Sequence, residues 1–388
     1  MQIFDRIDSG LKLRPGEEMI VDTVRALCRD KIAPAAEHVD RSGEFPWDNI
    51  KAINELGLNA MFIPEAYGGS PASYTCYLAC LRDMAEACAA TAIIWATNFH
   101  AIKPVVDFGT EEQKLRLLPR VAEGGLVALC ITEETAGSDA TGMRTTFHEE
   151  GDKIRVNGTK LFITNGDVAD LYLVFGKWAG IDSAKAAISV LVLEKDTPGL
   201  RTIRTEDKLG IRGSSTAAIA FDNCIVPRGN LLCAPGDGLR ILFSALNKSR
   251  PSVAAHALGI ARAAFKDAVE YINVRSQSKR RILEFQGIQF MIADLAAELA
   301  LVESWLWTVA QRLDGGDNDV GIEASILKMR ASDLAMRMTT DAVQLFGGYG
   351  YCKDYRVERL MRDAKITQIW EGTNQVHRQL IGRSFLRK

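Results

Sequence analysis

Near the end of the chain, Gln368-Ile369-Trp370-Glu371-Gly372-Thr373-Asn374-Gln375-Val376-His377-Arg378 sets one carboxylate between a large aromatic and a glycine. A hydroxyl and two amides follow. Helical spacing then resumes at Val376, Leu380 and Ile381, and Thr373 is a suitable N-cap. Glu371 and Gly372 therefore fall on irregular backbone just before a helix start. A carboxyl partly desolvated there by Trp370 is suited to removing a proton from a carbon acid. The plainer reading is a loop glutamate favoured by the positive end of a helix dipole. Taken alone, these residues fit the plainer reading better.

Three further stretches have chemical potential, each with an ordinary reading beside it. Cys130-Ile131-Thr132-Glu133-Glu134-Thr135-Ala136-Gly137-Ser138-Asp139 ends a strand in hydroxyls and backbone amides, suited to a polar ring edge or a phosphate. It reads equally as a surface turn. Lys160-Leu161-Phe162-Ile163-Thr164-Asn165-Gly166 puts Phe162 and Thr164 on one face of a strand by simple alternation, or is an ordinary core strand. Asp341 to Gly350 (DAVQLFGGYG) ends a helix in glycines that let another molecule approach the backbone, or that merely stop the helix.

Absent motifs narrow the chemistry. The chain has no GxGxxG after a strand, no GxxxxGK[ST], no GxSxG and no HExxH. Rossmann dinucleotide binding, P-loop phosphoryl transfer, a nucleophile elbow and a zincin site are all disfavoured. An enzyme of this sequence must bring its chemistry in a cofactor held another way. With 47 basic and 49 acidic side chains, the net charge of −2 gives no nucleic-acid surface and no polybasic membrane patch. The eight cysteines form no CxxC pair and only five histidines are present, so no metal site is expected and the cysteines read as reduced, mostly buried small hydrophobes. No apolar run reaches membrane-spanning length, and no signal peptide is visible at the N-terminus. A cytoplasmic protein is the expectation.

The elements that must position these residues fall into three blocks. With 388 residues, two or three domains are expected. Residues 1–125 read as helical. Glu17 to Arg29 carries an amphipathic pattern ended by Pro34, Glu44-Phe45-Pro46-Trp47 opens another helix, and a long apolar helix runs from about Thr75 through Ala89. Thr110-Glu111-Glu112-Gln113 is a capping box, and Pro119 is expected to end or kink that helix at Leu118. Residues 126–234 hold six or more short strands, a small β-barrel or sandwich, with Asn157-Gly158 as a hairpin turn. Residues 235–388 read as a four-helix bundle. Arg250-Pro251 opens one helix, Ile282 to Leu313 forms the next, and Ile322 to Phe346 the third, stopped by Gly347-Gly348. The fold class is mainly α with a central β-domain.

The order TEETAGSD, NGTKLFITNG, KLGIRGSS, Arg250-Pro251, DAVQLFGGYG, RLMRDAKI and QIWEGTNQ closely resembles the acyl-CoA dehydrogenase family of flavoproteins. The match extends back to LGLNAMFIPEAYGGS and covers nearly the whole chain. The resemblance implies FAD, an acyl-CoA substrate, an electron-transfer flavoprotein as electron acceptor, and a homotetramer built as a dimer of dimers. It makes Glu371 the base that removes the α-proton of an acyl thioester while the flavin accepts the β-hydride. Thr132 and Ser138 resemble positions contacting the flavin and its phosphates, and Cys130 at the strand end is counted with them. Phe162 and Thr164 resemble those at the isoalloxazine ring. Arg275, Gln286, Gln344 and Gly348 resemble positions that hold the partner subunit's FAD, whereas Thr373 and Gln375 contact the subunit's own. Arg250 resembles an arginine at the substrate mouth, with Asn247 and Gly372 also on the substrate side. Trp95 and Phe99, placed to line the acyl pocket, hint at a short, branched or cyclic acyl group.

Departures from the family pattern qualify this. Ser278 stands where members commonly have a phenylalanine that contacts the cofactor, Asn247 where many have an acidic residue, and Phe162 where a tryptophan is frequent. Two other functions stay open: a related enzyme acting on a carrier-protein thioester, and a non-catalytic flavoprotein partner. Oxidase activity is open as well.

Overall fold

Apolar residues at a 3.6-residue period build the first third of the chain into seven helices. The computed structural model describes residues 2–386. These helices are α1 (Gln2–Asp8), α2 (Glu17–Leu27), α3 (Ala33–Ser42), α4 (Trp47–Glu55), α5 (Tyr74–Ala87), α6 (Ala89–Phe108) and α7 (Glu111–Ala122). One π-helical turn, Cys28–Ile32, joins α2 to α3, and Pro34 sits in the first turn of α3, where a missing N–H costs nothing. The apolar helix expected to run through Ala89 is two helices, because Cys88 adopts an extended φ of −155°. The capping box forms: Thr110 Oγ1 accepts from the Gln113 N–H at 3.2 Å, and Gln113 Oε1 accepts from the Thr110 N–H at 3.0 Å. The expected break at Pro119 does not occur. α7 runs on to Ala122 because Leu117, Leu118 and Val121 are buried on both sides of the proline, and that packing outweighs one lost backbone bond.

The middle block is one curled mixed sheet of β1 (Val127–Cys130), β2 (Thr146–Glu150), β3 (Lys153–Thr164), β4 (Leu171–Trp178), β5 (Ile188–Glu194), β6 (Leu200–Thr205) and β7 (Thr216–Pro227). β1 and β2 follow one another along one edge of β4, both parallel to it, and β5 pairs antiparallel along the other edge. β2, β3, β7 and β6 continue antiparallel. The sheet wraps a second core that includes Phe147, Val156, Val174, Leu191, Ile219 and Phe221. Asn157-Gly158 is not the hairpin turn. It lies inside β3, at a register shift between Val156 and Gly158, and the reversal occurs at Gly151-Asp152. A second shift separates Lys160 from Ile163.

The last block comprises α8 (Gly238–Val274), the two-residue strands β8 (Ser276–Gln277) and β9 (Arg280–Arg281), α9 (Gln286–Asp314), α10 (Gly321–Phe346), α11 (Val357–Lys365) and α12 (Asn374–Arg383). Arg250-Pro251 does not open a helix. It lies well inside the 37-residue α8, buried on all sides, so packing carries the helix past the proline. The helix expected from Ile282 begins at Gln286, because Ile282–Glu284 is a 3₁₀ turn following the β8–β9 hairpin. Gly347, at φ +62°, stops α10 as expected. α8 is the central post of the molecule and packs on α5, α6, α10 and α11. Among the described residues no helix is long and apolar enough to cross a membrane.

Candidate active site

The turn before α12 carries Glu371, and its backbone is unusual. Glu371 has φ +53° and Gly372 φ +94°, two consecutive left-handed residues. Only glycine adopts this freely, and a Cβ at Gly372 would lie 3.2 Å from His377 Nε2. Thr373 caps α12, its Oγ1 accepting from the Val376 N–H at 3.3 Å. Trp370 is half-buried, its ring 5.6 Å from that of His256 on α8.

The half-buried Glu371 carboxylate meets α8. Ser249 Oγ donates to Glu371 Oε2 at 2.6 Å. The next residue, Arg250, is buried and donates to Asn247 Oδ1 and Ser325 Oγ, both at 3.4 Å, while its Nε finds no partner among the described residues. Burial pushes this guanidinium below its usual range, and the charge of Glu371 opposes that shift. From α10, Lys328 Nζ donates to the Gly372 carbonyl at 2.7 Å and to Asn374 Oδ1 at 3.0 Å. Burial lowers its pKa to about 7, with Glu371 pulling upward and Arg250 downward. His377 is held neutral, pushed down to about 3 by burial and by the cations Arg250 and Lys328. His100 on α6 is lowered by burial and partly restored by the charge of Glu371.

A second group of residues gathers where β1 and β3 end. Lys160 Nζ donates to the Ile131 carbonyl at 2.8 Å and to Glu133 Oε1 at 2.7 Å, and Leu161 N–H donates to the Thr132 carbonyl at 2.8 Å. The strand end and the loop after β1 are thereby locked together. Phe162 adopts φ +58° inside the bulge and is 61% exposed, so simple alternation does not put it and Thr164 on one strand face; the bulge turns Phe162 outward. Thr132 and Thr164 are half-buried and Ser138 is exposed. The Cys130 side chain lies in the sheet core, its thiol pushed up to about 12 by burial, so only its backbone faces a ligand. α6 connects the two groups: Asn165 Nδ2 donates to the Ile94 carbonyl at 3.3 Å, and His100 lies within the electrostatic reach of Glu371.

Trp95 and Phe99 belong to a packed aromatic cluster with Phe62 and Tyr77, at centroid separations of 4.6–5.3 Å. Both are buried within that cluster and present no open wall. Arg275, Gln286, Gln344 and Gly348 are all exposed, with Arg275 over the ring of Tyr349 at 5.8 Å. Gln375 is exposed and Thr373 half-buried. Ser278, at φ +51°, occupies the tip of the exposed β8–β9 hairpin. Reading by motif missed Ser249 and Lys328. Ser249 adjoins Arg250, but nothing local marks a serine or a buried lysine as a partner of a residue 122 or 44 positions away. An open groove between α3, the end of α8 and residues 353–359 has no part in this site.

Three family models match in chain order: the acyl-CoA dehydrogenase N-terminal domain over residues 14–125, the middle domain over 128–224 and the C-terminal domain over 236–386. An acyl-CoA dehydrogenase of Bacillus subtilis is 42% identical over 370 residues, covering 95% of this chain and 97% of that one. The chain belongs to the acyl-CoA dehydrogenase family.

Acyl-CoA dehydrogenases are FAD oxidoreductases acting on CH–CH bonds. The butyryl-CoA dehydrogenase of Megasphaera elsdenii superposes with a TM-score of 0.94 at 37% identity, covering 97% of this chain and 99% of that one. A chain in a structure described as the electron transferring flavoprotein of Acidaminococcus fermentans also superposes at 0.94, with 40% identity and coverage of 97% and 99%. The residues present fit the flavin of this family. Phe162 offers an exposed aromatic ring, and the half-buried Thr132 and Thr164 supply hydroxyl-bearing residues at the joined ends of β1 and β3.

Proposed function

We propose that this protein oxidises a short acyl-CoA to its trans-2-enoyl-CoA with Glu371 as the α-proton base. The observation that carries the reading is the Glu371 turn. One carboxylate is set on two left-handed residues, bonded by Ser249 at 2.6 Å and faced by the buried Arg250 and Lys328. Such a turn points the carboxylate in one direction and keeps it there, which general-base catalysis on a weak carbon acid requires.

Thr132, Ser138, Phe162, Thr164, Thr373 and Gln375 would hold a flavin, which would supply the acceptor for the hydride of the β-carbon. Glu371 takes the α-proton on a carboxylate oxygen. The backbone N–H of Glu371 lies on the same turn as the base, where it serves as a donor to the thioester oxygen as charge builds there. Arg250 faces the substrate entrance, with Asn247 beside it. Trp95 and Phe99, read as lining the acyl pocket, add aromatic bulk that favours an acyl chain of a few carbons. Arg275, Gln286, Gln344 and Gly348 are turned outward, so they serve an FAD in a neighbouring subunit of a tetramer. An electron-transfer flavoprotein is the acceptor that fits this reading.

The test is Glu371→Gln, which keeps shape and removes basicity. Purified variant retains its yellow colour, and anaerobic bleaching by butyryl-CoA slows by about 10³-fold or more, at the upper part of the range for loss of a general base. Bleaching within a few-fold of the wild-type rate would sink the assignment of the base. Titration with a carrier-loaded acyl group beside the free CoA ester separates the two substrate classes.

A further inference from the structure

Lys328 is fully buried, yet no carboxylate lies within ion-pair distance of it among the described residues. A buried ammonium without a carboxylate partner is costly, and a methionine of similar length would fill the space more cheaply. Its two acceptors both belong to the segment that carries Glu371: the Gly372 carbonyl at 2.7 Å and Asn374 Oδ1 at 3.0 Å. The same face of α10 holds the segment at other points. Asn374 Nδ2 donates to Ser332 Oγ at 2.9 Å and to Asp333 Oδ1 at 2.7 Å. Gln368 Nε2, on the near side of the turn, donates to that Asp333 oxygen at 2.7 Å, and an Arg378 N–H from α12 reaches Asp333 Oδ2 at 2.7 Å. Both flanks of Glu371 are therefore moored to one rigid helix, and Lys328 is the member that reaches the middle of the turn.

Building on the reading of Glu371 as base, we propose that Lys328 is the positioning residue that fixes the Glu371-Gly372 turn in its reactive conformation. It touches neither substrate nor flavin and transfers no proton. Two left-handed residues in sequence persist only when their surroundings hold them, and the ammonium on the Gly372 carbonyl is that hold. The groups facing the pair are few. Arg250 comes from α8 and stays charged, His377 from α12 and His100 from α6 face the turn as buried rings whose pKa values are lowered, and Asp333 lies on α10 itself. Lys328, at about 7, is the cation whose charge changes in the working range.

The experiment uses the FAD-loaded enzyme with Lys328→Met, which keeps side-chain length and apolar packing, and Glu371→Gln in parallel. The expected result is wild-type flavin content and a KM for butyryl-CoA within about threefold, with the anaerobic bleaching rate down about 10- to 100-fold, the size of loss that follows small misplacement of a reacting group. In Lys328→Ala, ethylammonium restores the rate in a saturable manner. A Lys328→Met enzyme with unchanged rate overturns the proposal. So does a rate loss that does not respond to ethylammonium, since a lysine needed only for folding behaves that way. Should Lys328→Met not fold, the ethylammonium titration of Lys328→Ala, refolded in its presence and then dialysed, decides by the same criterion. An inactive Glu371→Gln beside a normal Lys328→Met removes this inference alone. A fully active Glu371→Gln removes the assignment of the base beneath it.

Discussion

A carboxylate becomes a directed base only if its main chain cannot relax, and at Glu371 and Gly372 the left-handed backbone supplies that restriction. Gly372→Ala tests it directly. The new Cβ is strained at φ +94° and presses on His377 at 3.2 Å, so the variant is expected to lose about 1–3 kcal/mol of stability. Bleaching falls by at least about tenfold, because a displaced reacting group loses its alignment. Melting temperature and stopped-flow bleaching measure the two effects separately. Ser249 acts on the side chain instead. Ser249→Ala removes a single hydrogen bond to a charged oxygen, worth about 1.5–3 kcal/mol, so an intermediate loss of rate with unchanged flavin content is expected.

At the scale of elements, the end of β3 shows how a bulge turns a core strand into an exposed edge. Lys160 is wholly buried and bridges the Ile131 carbonyl and Glu133, while Glu133 also accepts from Thr145 Oγ1 at 2.6 Å and from the Thr145 N–H at 3.0 Å. The ion pair holds Thr132 against Leu161 and lets Phe162 project. Lys160→Met leaves Glu133 with an uncompensated charge, so a loss of about 3–5 kcal/mol is expected, as for other broken buried pairs. The variant is expected to emerge from gel filtration with less bound flavin, read from the absorbance ratio of flavin to protein. A variant that is as stable and as yellow as wild type would show that the pair does not build this edge. Proline also behaves differently at this scale than a local rule suggests. Pro119 and Pro251 both lie inside continuous helices, because leucines in one case and a fully buried post in the other hold the chain across the missing N–H.

Across the whole molecule, the three blocks meet at α11. Arg362 forks onto Asp40 of α3 at 2.8 and 2.6 Å, and Asp363 accepts from the Ile211 N–H of the loop after β6. Gly210 lies so close that a Cβ would come within 2.4 Å of the Arg362 backbone. KLGIRGSS and RLMRDAKI, which stood out as family motifs, are here the two sides of one junction. Asp363 is buried and its pKa is raised to about 6 from 3.8, chiefly by burial, with the Ile211 hydrogen bond opposing. The folded state therefore binds more protons than the unfolded state between about 4 and 6, and this group's contribution to stability falls as pH rises through that window. Asp363→Asn keeps the acceptor and removes the titration. Relative to wild type it is expected to gain up to about 3 kcal/mol between pH 4 and pH 7, the equivalent of two pKa units. Melting curves of both proteins at several pH values check this. Curves that stay parallel across the window would place the titration elsewhere.

Much of this protein was legible from residue order. The helix–strand–helix plan, the Thr110 capping box, the Thr373 cap and the glycine stop of α10 depend on neighbours a few residues apart, and the structure contains each of them. Glu371 was legible as a carboxylate on a turn. What holds it was not: Ser249 and Lys328 approach the turn from α8 and α10 across 122 and 44 residues of sequence. The bulge that turns Phe162 outward, the passage of two helices through proline and the reversal at Gly151-Asp152 were likewise decided by tertiary structure. Local spacing determines which segments can be helix or strand, because hydrogen bonds and caps act over one turn. Register, strain and the company of a buried charge depend on surfaces that meet only after the chain has folded.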